Sequence, residues 1–520
     1  MNASPYRACF PFVGLVCVVL ACGPSGQLIH PAPHAQDQLG FSVAIDGDRI
    51  IVGAAKSDTL ASNGGRALAW RRQGSVWGLD QTIVPSAPSL GAQFGWAVDV
   101  SGDRAVVGAP MEPSPDGITG ATYVQELVGG SWTEAERVAV TAVESFFGST
   151  VAIEGDWAVV GAPFATPPTF TGPGVAHVYR RNPGTGDWNF HTLLGAADSI
   201  DYIEFGSSVA IDGDVIVVGA EKGVKDDAII GGAAYVFRRQ GSNWNQEAKL
   251  TAFDAAYHDR FGDAVAVSGE VILVGAKAED ARGEEAGAAY VFTRDPETGA
   301  WSQTQKLVAS DGGEGDEFGY AISIDGARAV VGAWLAEGET ASTAGAVYFF
   351  RRSGGAWMED DIFRAFNGAY GDGFGASVSI SGDCAVVGAP NKDVDGHTNA
   401  GAAYTFCDLP GPLPPGLDLD ITCCVDVPDP AGPVVVTARI HNAGDRERIG
   451  RSWIEAVAPD GTAEVVVGPT SLVVGPNDAV TTRYPLTLTG QRPSTYELRL
   501  HWEDAGGVRT ASTRVTLEDA

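Results

Sequence analysis

The sequence predicts an all-β chain: a seven-bladed β-propeller followed by an immunoglobulin-like β-sandwich. Three observations predict it. One unit of about 56 residues recurs seven times, marked by Gly40, Gly95, Gly148, Gly206, Gly262, Gly319 and Gly375. Each copy reads as four short strands, a sheet too small to bury its own faces, which is the signature of a propeller blade. Beyond a Pro/Gly-rich stretch, about a hundred further residues carry strand patterns of their own. A hydrophobic content of 44% over 520 residues excludes a wholly disordered chain, and 68 glycines suit many tight turns.

Residues 1–22 come first. Phe10 to Leu20 is an apolar run of signal-peptide length behind a single Arg7, too short to span a bilayer. Val19-Leu20-Ala21-Cys22-Gly23 resembles the bacterial lipobox, in which the cysteine becomes the lipidated first residue; ordinary signal cleavage nearby is the alternative. The protein is therefore expected to be exported, and lipid-anchored to the bacterial cell envelope through Cys22 or, without lipid, secreted. Cys9 and Cys17 leave with the signal, and Cys384, Cys407, Cys423 and Cys424 remain, with three possible pairings. Cys384 begins one strand of the seventh copy and Cys407 ends the next, so a hairpin brings them to the same end and favours that disulfide. The formal charge of −31 argues against a nucleic-acid partner and fits a solvated surface.

Residues 27–408 carry the repeats. In the fourth copy the first strand is Phe205 to Ile211, with period-two alternation, followed by the turn dipeptide Asp212-Gly213. Val215 to Val218 forms the second strand, closed by Gly219-Ala220, and Gly232 to Phe237 forms the third. The fourth contains Trp244 and ends near Leu250. A tryptophan recurs there in six copies, at Trp77, Trp132, Trp188, Trp244, Trp301 and Trp357, which points to blade-to-blade packing over carbohydrate stacking. The seventh copy stops after its third strand at Cys407. Leu28 precedes Gly40 by the same interval as Leu250 precedes Gly262, so Gln27 to His30 are expected to complete the last blade and close the ring.

The Phe-Gly openings and the closings Gly108-Ala109-Pro110, Gly161-Ala162-Pro163 and Gly388-Ala389-Pro390 resemble FG-GAP repeats, similar to the propeller at the head of integrin α subunits and to many bacterial exported proteins. The resemblance implies extracellular binding or adhesion. It does not carry the calcium sites of integrin-type repeats. Those insert an aspartate-rich loop between the first two strands, where this chain has bare turns such as Asp46-Gly47-Asp48 and Ser101-Gly102-Asp103. The nearest remnant, a low-ranking candidate for calcium, is Asn391, Asp393 and Asp395 before Gly396; otherwise no cofactor is expected.

The loops joining second to third and fourth to first strands share one face, and the hairpin turns share the other. The loop face is acidic, and Asp254, Asp259, Asp311 and Asp316 are the candidate ligand-face residues. The turn face receives the pairs Arg71-Arg72, Arg180-Arg181, Arg238-Arg239 and Arg351-Arg352. A lipid on Cys22, about 20 Å at most from the closing strand, would turn this arginine face toward the membrane and the acidic loops outward.

Residues 409–417, Leu409 to Leu417, form a stiff linker, and 418–520 are expected to fold as the immunoglobulin-like sandwich, with strand patterns at Val434–Ile440, Ser452–Ala456 and Tyr496–Trp502. The sequence holds no Gly-x-Ser-x-Gly elbow, no His-Glu-x-x-His helix, no phosphate loop and no Cys-x-x-Cys pair, and His177 reads as a core substitution for tyrosine. The expected function is thus a non-enzymatic, monomeric cell-envelope protein that binds an extracellular protein or glycan. The alternative is an extracellular hydrolase acting on a carbohydrate or other polymer at the propeller channel, for which two carboxylates roughly 5–9 Å apart would be the mark.

Overall fold

The computed structural model describes residues 26–409 apart from loop segments 59–60, 75, 115–116, 119, 141–145, 167–173, 199–202, 223, 226–227, 230, 338–342, 354, 366 and 408, together with the backbone of Val19–Leu20 and of seven strands between Asp418 and Leu517. One compact unit is Ser25–Arg351 with Trp357–Leu409, and a second contains Pro410–Ala520. Every regular element among the described residues is a strand.

The first unit is a ring of seven four-stranded antiparallel sheets. Blade 1 runs outward through Leu39–Asp46, Arg49–Ala54, Arg66–Gln73 and Val76–Ile83. Blade 7 consists of Ser377–Ser381, Cys384–Ala389 and Ala402–Phe406, and its outer strand is Gly26–Leu28, paired Gly26↔Thr405, Gln27↔Tyr404 and Leu28↔Ala403. The chain start therefore closes the ring. The turn reading shifts by one residue. Asp46 pairs Arg49 and Asp212 pairs Val215, so each two-residue loop begins at the glycine. Only that glycine is left-handed, φ +56° at Gly47 and +57° at Gly213, which matches a type II′ turn and leaves the aspartate as the last strand residue.

Hydrophobic clusters lie between blades. Ile51, Ala69 and Ile83 of blade 1 meet Phe94, Val107, Tyr123 and Trp132 of blade 2, and Leu28 and Val386 of blade 7 meet Leu39, Ile50 and Trp70 of blade 1. The repeat's two signature motifs form each seam. A Cβ on Gly262 would lie 2.2 Å from the Ala233 carbonyl of the preceding blade, and one on Gly219 would lie 2.0 Å from the Gly262 carbonyl. Backbone touches backbone there, and only glycine fits. The third-strand tyrosines Tyr123, Tyr235, Tyr290, Tyr348 and Tyr404 are fully buried. His177 holds their place in blade 3, 5.0 Å from the Phe147 ring, and burial lowers its pKa to about 4.

Of the recurring tryptophans, Trp132, Trp188, Trp244 and Trp357 are buried. Gln81 of blade 1 clasps the Trp132 backbone through both amide atoms, 2.7 and 2.8 Å, and Gln305 does the same to Trp357. Two residues after four of the tryptophans, Glu134, Gln246, Gln303 and Glu359 accept the loop N–H of Ser86, Ala197, Phe253 and Ser310 in the preceding blade. Blade 1 has an exposed Leu79 at this position; the matching loop residue is Pro31, which has no N–H to offer.

In the second unit Val434–Asn442 lies between Asp418–Asp426 and Asp478–Leu486. A second antiparallel sheet runs Val19–Leu20, Gly507–Leu517, Ser494–Asp504, Arg448–Val457, Ala463–Val474. The three strand patterns read from the tail sequence fall within these strands.

Candidate functional site

The first strands of all seven blades surround a central channel of about 590 Å³. They are inner-edge strands, so some of their N–H groups have no neighbouring strand to bond. Side chains of the preceding blade supply the acceptors. At the turn end, Asp46, Ser101, Glu154, Asp212, Ser268, Asp325 and Ser381 accept the N–H of Gly102, Gly155, Gly213, Gly269, Gly326, Gly382 and Gly47, a complete ring of seven hydrogen bonds. One layer further in, Asp99, Ser323 and Ser379 accept from Ile153, Ile380 and Ile45 of the next blade, 2.7 to 3.2 Å. Asp99 also accepts its neighbour's N–H at Val100, 2.9 Å. Burial, with Asp46 and Glu154 nearby, pushes Asp99 up to about 7. The channel carboxylates thus cap strand edges.

The four predicted ligand-face acids all make contacts within the fold, Asp254 and Asp311 from exposed positions and Asp259 and Asp316 from buried ones. Asp254 accepts the buried Tyr290 hydroxyl at 2.9 Å and pairs with Lys306 at 2.7 Å; against the upward push of burial these partners hold it below the usual carboxylate range. Asp311 likewise accepts the Tyr348 hydroxyl at 2.9 Å and pairs with Arg364 at 2.8 Å. Asp259 and Asp316 are 2% and 5% exposed. Each accepts the N–H three residues earlier, at Ala256 and Gly313. Asp37 and Asp372 make the same turn in blades 1 and 7, where Arg66 and Lys392 balance them. Asp259 faces Glu279 and Asp280, and burial with these charges raises it to about 6. These acids organise loops.

The calcium candidates lie at the surface of their loop, Asn391 half-buried and Asp393 and Asp395 exposed. Asn391 Oδ1 accepts from Gln38 at 3.1 Å and Asp393 from the Asn399 N–H at 2.9 Å, while Asp395 sits at φ +51°. Among the described residues no three His, Cys, Asp or Glu side chains converge as a metal site. Cys384 and Cys407 are joined, with Cα atoms 4.0 Å apart. Cys22 lies outside the described residues. The turn-face arginines are held by acids of the same face: Arg71 by Asp48, Arg181 by Glu126, Arg238 by Glu247 and Glu270, Arg239 by Asp214, and Arg351 by Asp360. A cationic turn face was expected, and the turn acids neutralise much of it.

What the sequence reading missed is the loop-side mouth of the channel. In every blade the residue before the Phe-Gly pair, or Leu39-Gly40 in blade 1, is left-handed: Gln38, Gln93, Phe146, Glu204, Arg260, Glu317 and Gly373. These seven positions, the residues just after each Phe-Gly glycine, and the residues after each Gly-Ala closing vary while the scaffold repeats. In blades 4 to 6 they form one arc of contacts. Lys222 pairs with Glu204 at 2.5 Å, Arg260 with Glu221 at 3.5 Å and Lys277 with Asp263 at 3.0 Å. Asp263 and Glu221 share a hydrogen bond, and burial pushes Asp263 up to about 7 while Lys277 opposes the shift. Lys277 lies 4.7 Å from the Tyr320 ring, which packs on Trp334, and Glu317 fixes the Trp334 indole N–H at 2.9 Å. In blades 1 and 2 the rings of Phe41 and Trp96 pack at 4.5 Å. The signal available in the sequence was variability at fixed repeat positions.

A family model described as FG-GAP repeat matches residues 28–68, 77–125, 141–179, 188–237, 244–292, 301–350 and 357–406. Six of the segments run from an outer strand through three strands of the following blade, 141–179 begins just past the outer strand Ser131–Ala139, and together they cover more than half the chain. No curated protein matches the sequence. Among solved structures the chain is similar to Saccharomyces cerevisiae Sqt1, at 11% identity and TM-score 0.38 over 94% of this chain and 98% of that one. It is similar to the periplasmic gluconolactonase PpgL of Pseudomonas aeruginosa, at 14% and 0.42 over 63% and 86%. It is also similar to a fungal alcohol oxidase of the AA5 family in complex with copper, at 12% and 0.40 over 98% and 100%. With a matching segment for every blade, this chain belongs to the FG-GAP repeat family.

Proposed function

We propose that this is an exported, non-catalytic binding protein of the cell envelope that recognises an extracellular ligand at the loop-side mouth of its propeller. One observation carries the reading: aromatic, amide and charged side chains that do not repeat converge on a mouth whose backbone does, φ near +55° at Gln38, Gln93, Glu204, Arg260 and Glu317. A rigid scaffold that varies only at a concave rim is how propeller loops carry recognition. The commitment of Asp99 and the turn-end carboxylates to backbone donors supports binding over hydrolysis. The joined Cys384 and Cys407 suit an oxidising compartment. Lipid on Cys22 would anchor the chain, and the tail, whose strands pair first-second-fifth and fourth-third-sixth-seventh, suits an immunoglobulin-like spacer.

The test is binding of the mature chain, residues after Cys22, to arrays of extracellular proteins and oligosaccharides, with calcium and with chelator. Saturable binding that is weakened by substitutions at the mouth and untouched by Asp254→Asn supports this reading, and no binding in either buffer overturns it. A Cys22→Ala variant recovered from the medium instead of the membrane fraction would support the anchor.

A further inference from the structure

We infer that the mouth binds a neutral saccharide, seated on the Trp96 and Trp334 rings; this rests on the mouth being the recognition site. Among the polar atoms of blades 1 to 4 that are shielded from solvent and have no hydrogen-bond partner, four stand at the loop side: Gln38 Oε1, Gln93 Oε1, Ser149 Oγ and Ser207 Oγ. The two glutamines directly precede the first-strand pairs Leu39-Gly40 and Phe94-Gly95, and the two serines directly follow Phe147-Gly148 and Phe205-Gly206. All four therefore stand at the loop end of innermost strands. Buried orphans of this kind are few in folded proteins and call for an explanation. A polar guest that both donates and accepts supplies one.

The guest's charge follows from what is already paired. The mouth's cations Lys222, Arg260 and Lys277 each hold an acid of the same rim, whereas the orphaned groups are amides and hydroxyls. An ionic ligand would have to break internal pairs; a hydroxylated neutral one would not. Ring faces complete the chemistry. Trp96, stacked with Phe41, and Trp334, held by Glu317 and Tyr320, are half-buried on different sectors of the rim. An aromatic face accepts the apolar C–H face of a sugar ring while its hydroxyl edge bonds amides and hydroxyls. The rim position of blade 7 is Gly373, where a Cβ would touch Asn391 Nδ2 at 3.5 Å, Trp334 Cε3 at 3.6 Å and Pro390 Cδ at 3.7 Å, so this backbone lies directly against the Trp334 ring. With Asn391 Oδ1 taken by Gln38, its amide nitrogen is the donor facing this position.

The experiment is a titration of the mature full chain, followed by intrinsic tryptophan fluorescence, with neutral oligosaccharides, with uronate and sulfated oligosaccharides, and on an array of extracellular matrix proteins. Saturable binding of a neutral oligosaccharide is expected, weakened about ten-fold or more by Trp96→Ala and by Trp334→Ala, and left within about two-fold by Asp254→Asn, outside the mouth. Gln93→Leu distinguishes binding from folding. It removes an orphaned acceptor, so the melting temperature should hold or rise while saccharide affinity falls, and it serves if the tryptophan variants fail to fold. Binding only to acidic saccharides or only to proteins, lost on Arg260→Ala, would overturn the saccharide inference and leave the mouth as a recognition site. Binding to nothing on any surface would overturn both.

Discussion

Asp99 stands where blades 6 and 7 place Ser323 and Ser379, each accepting an N–H from the next blade's innermost strand. A hydroxyl does that work without charge, while a carboxylate must also be desolvated. Burial raises Asp99 to about 7 from an ordinary 3.8. Between those values the folded chain holds a proton that the unfolded chain has released. The group's contribution to stability is therefore whole below its ordinary value and is lost as pH rises through about 7. Asp99→Ser keeps the acceptor for Ile153 and removes the titration. Its melting temperature relative to the parent should climb between pH 4 and pH 8, by roughly 2–4 °C for each kcal/mol. A constant offset across that range would show that Asp99 does not titrate as placed.

At the scale of the strand and turn, glycines with the same backbone sign have unequal reasons to be glycine. Gly262, at φ +94°, has the Ala233 carbonyl where a Cβ would go, whereas Gly269, at φ +57° in a hairpin turn, has open space. Gly269→Ala should cost about 1 kcal/mol, the strain of a left-handed alanine, and Gly262→Ala about 3 kcal/mol or more, because a seam must open as well. Urea denaturation of the two variants checks the ordering; equal losses would mean the seams yield. The outer clasp is similarly testable: Gln305→Leu leaves the Trp357 N–H and C=O without their partner and should cost about 1–3 kcal/mol. These elements were legible because repetition exposes them. Seven glycines in register announce a backbone contact before any coordinate does. The partners of the loop acids were not legible: Asp254 meets Tyr290 and Lys306 of the following blade, while Asp259 takes the Ala256 N–H inside its own turn, and neither contact is marked by the spacing of the repeat. The mouth was illegible because its residues break the repeat, and a search for conserved spacing passes over positions that change type from blade to blade.

For the whole ring the decisive seam is the last one, because the chain closes it with three residues. Gly26–Leu28 gives blade 7 its fourth strand, and Leu28 is buried with Leu39, Ile50, Leu68 and Trp70 of blade 1. The ring of turn hydrogen bonds closes at the same seam, where Ser381 accepts from Gly47 at 3.2 Å. The disulfide between Cys384 and Cys407 fastens the second and third strands of blade 7 to each other, not blade 7 to blade 1. Replacing both cysteines by serine should cost about 3 kcal/mol through a looser unfolded state and leave a single cooperative transition. Leu28→Asp places an unpaired carboxylate inside the closing seam, with a cost of several kcal/mol. If closure makes the seven blades one cooperative body, this variant should lower the midpoint for the entire propeller, and amide protection in Val215–Ala220 should fall together with that in Cys384–Ala389. Loss confined to blade 7, with Val215–Ala220 still protected, would show instead that each seam stands on its own neighbours, as in an open solenoid.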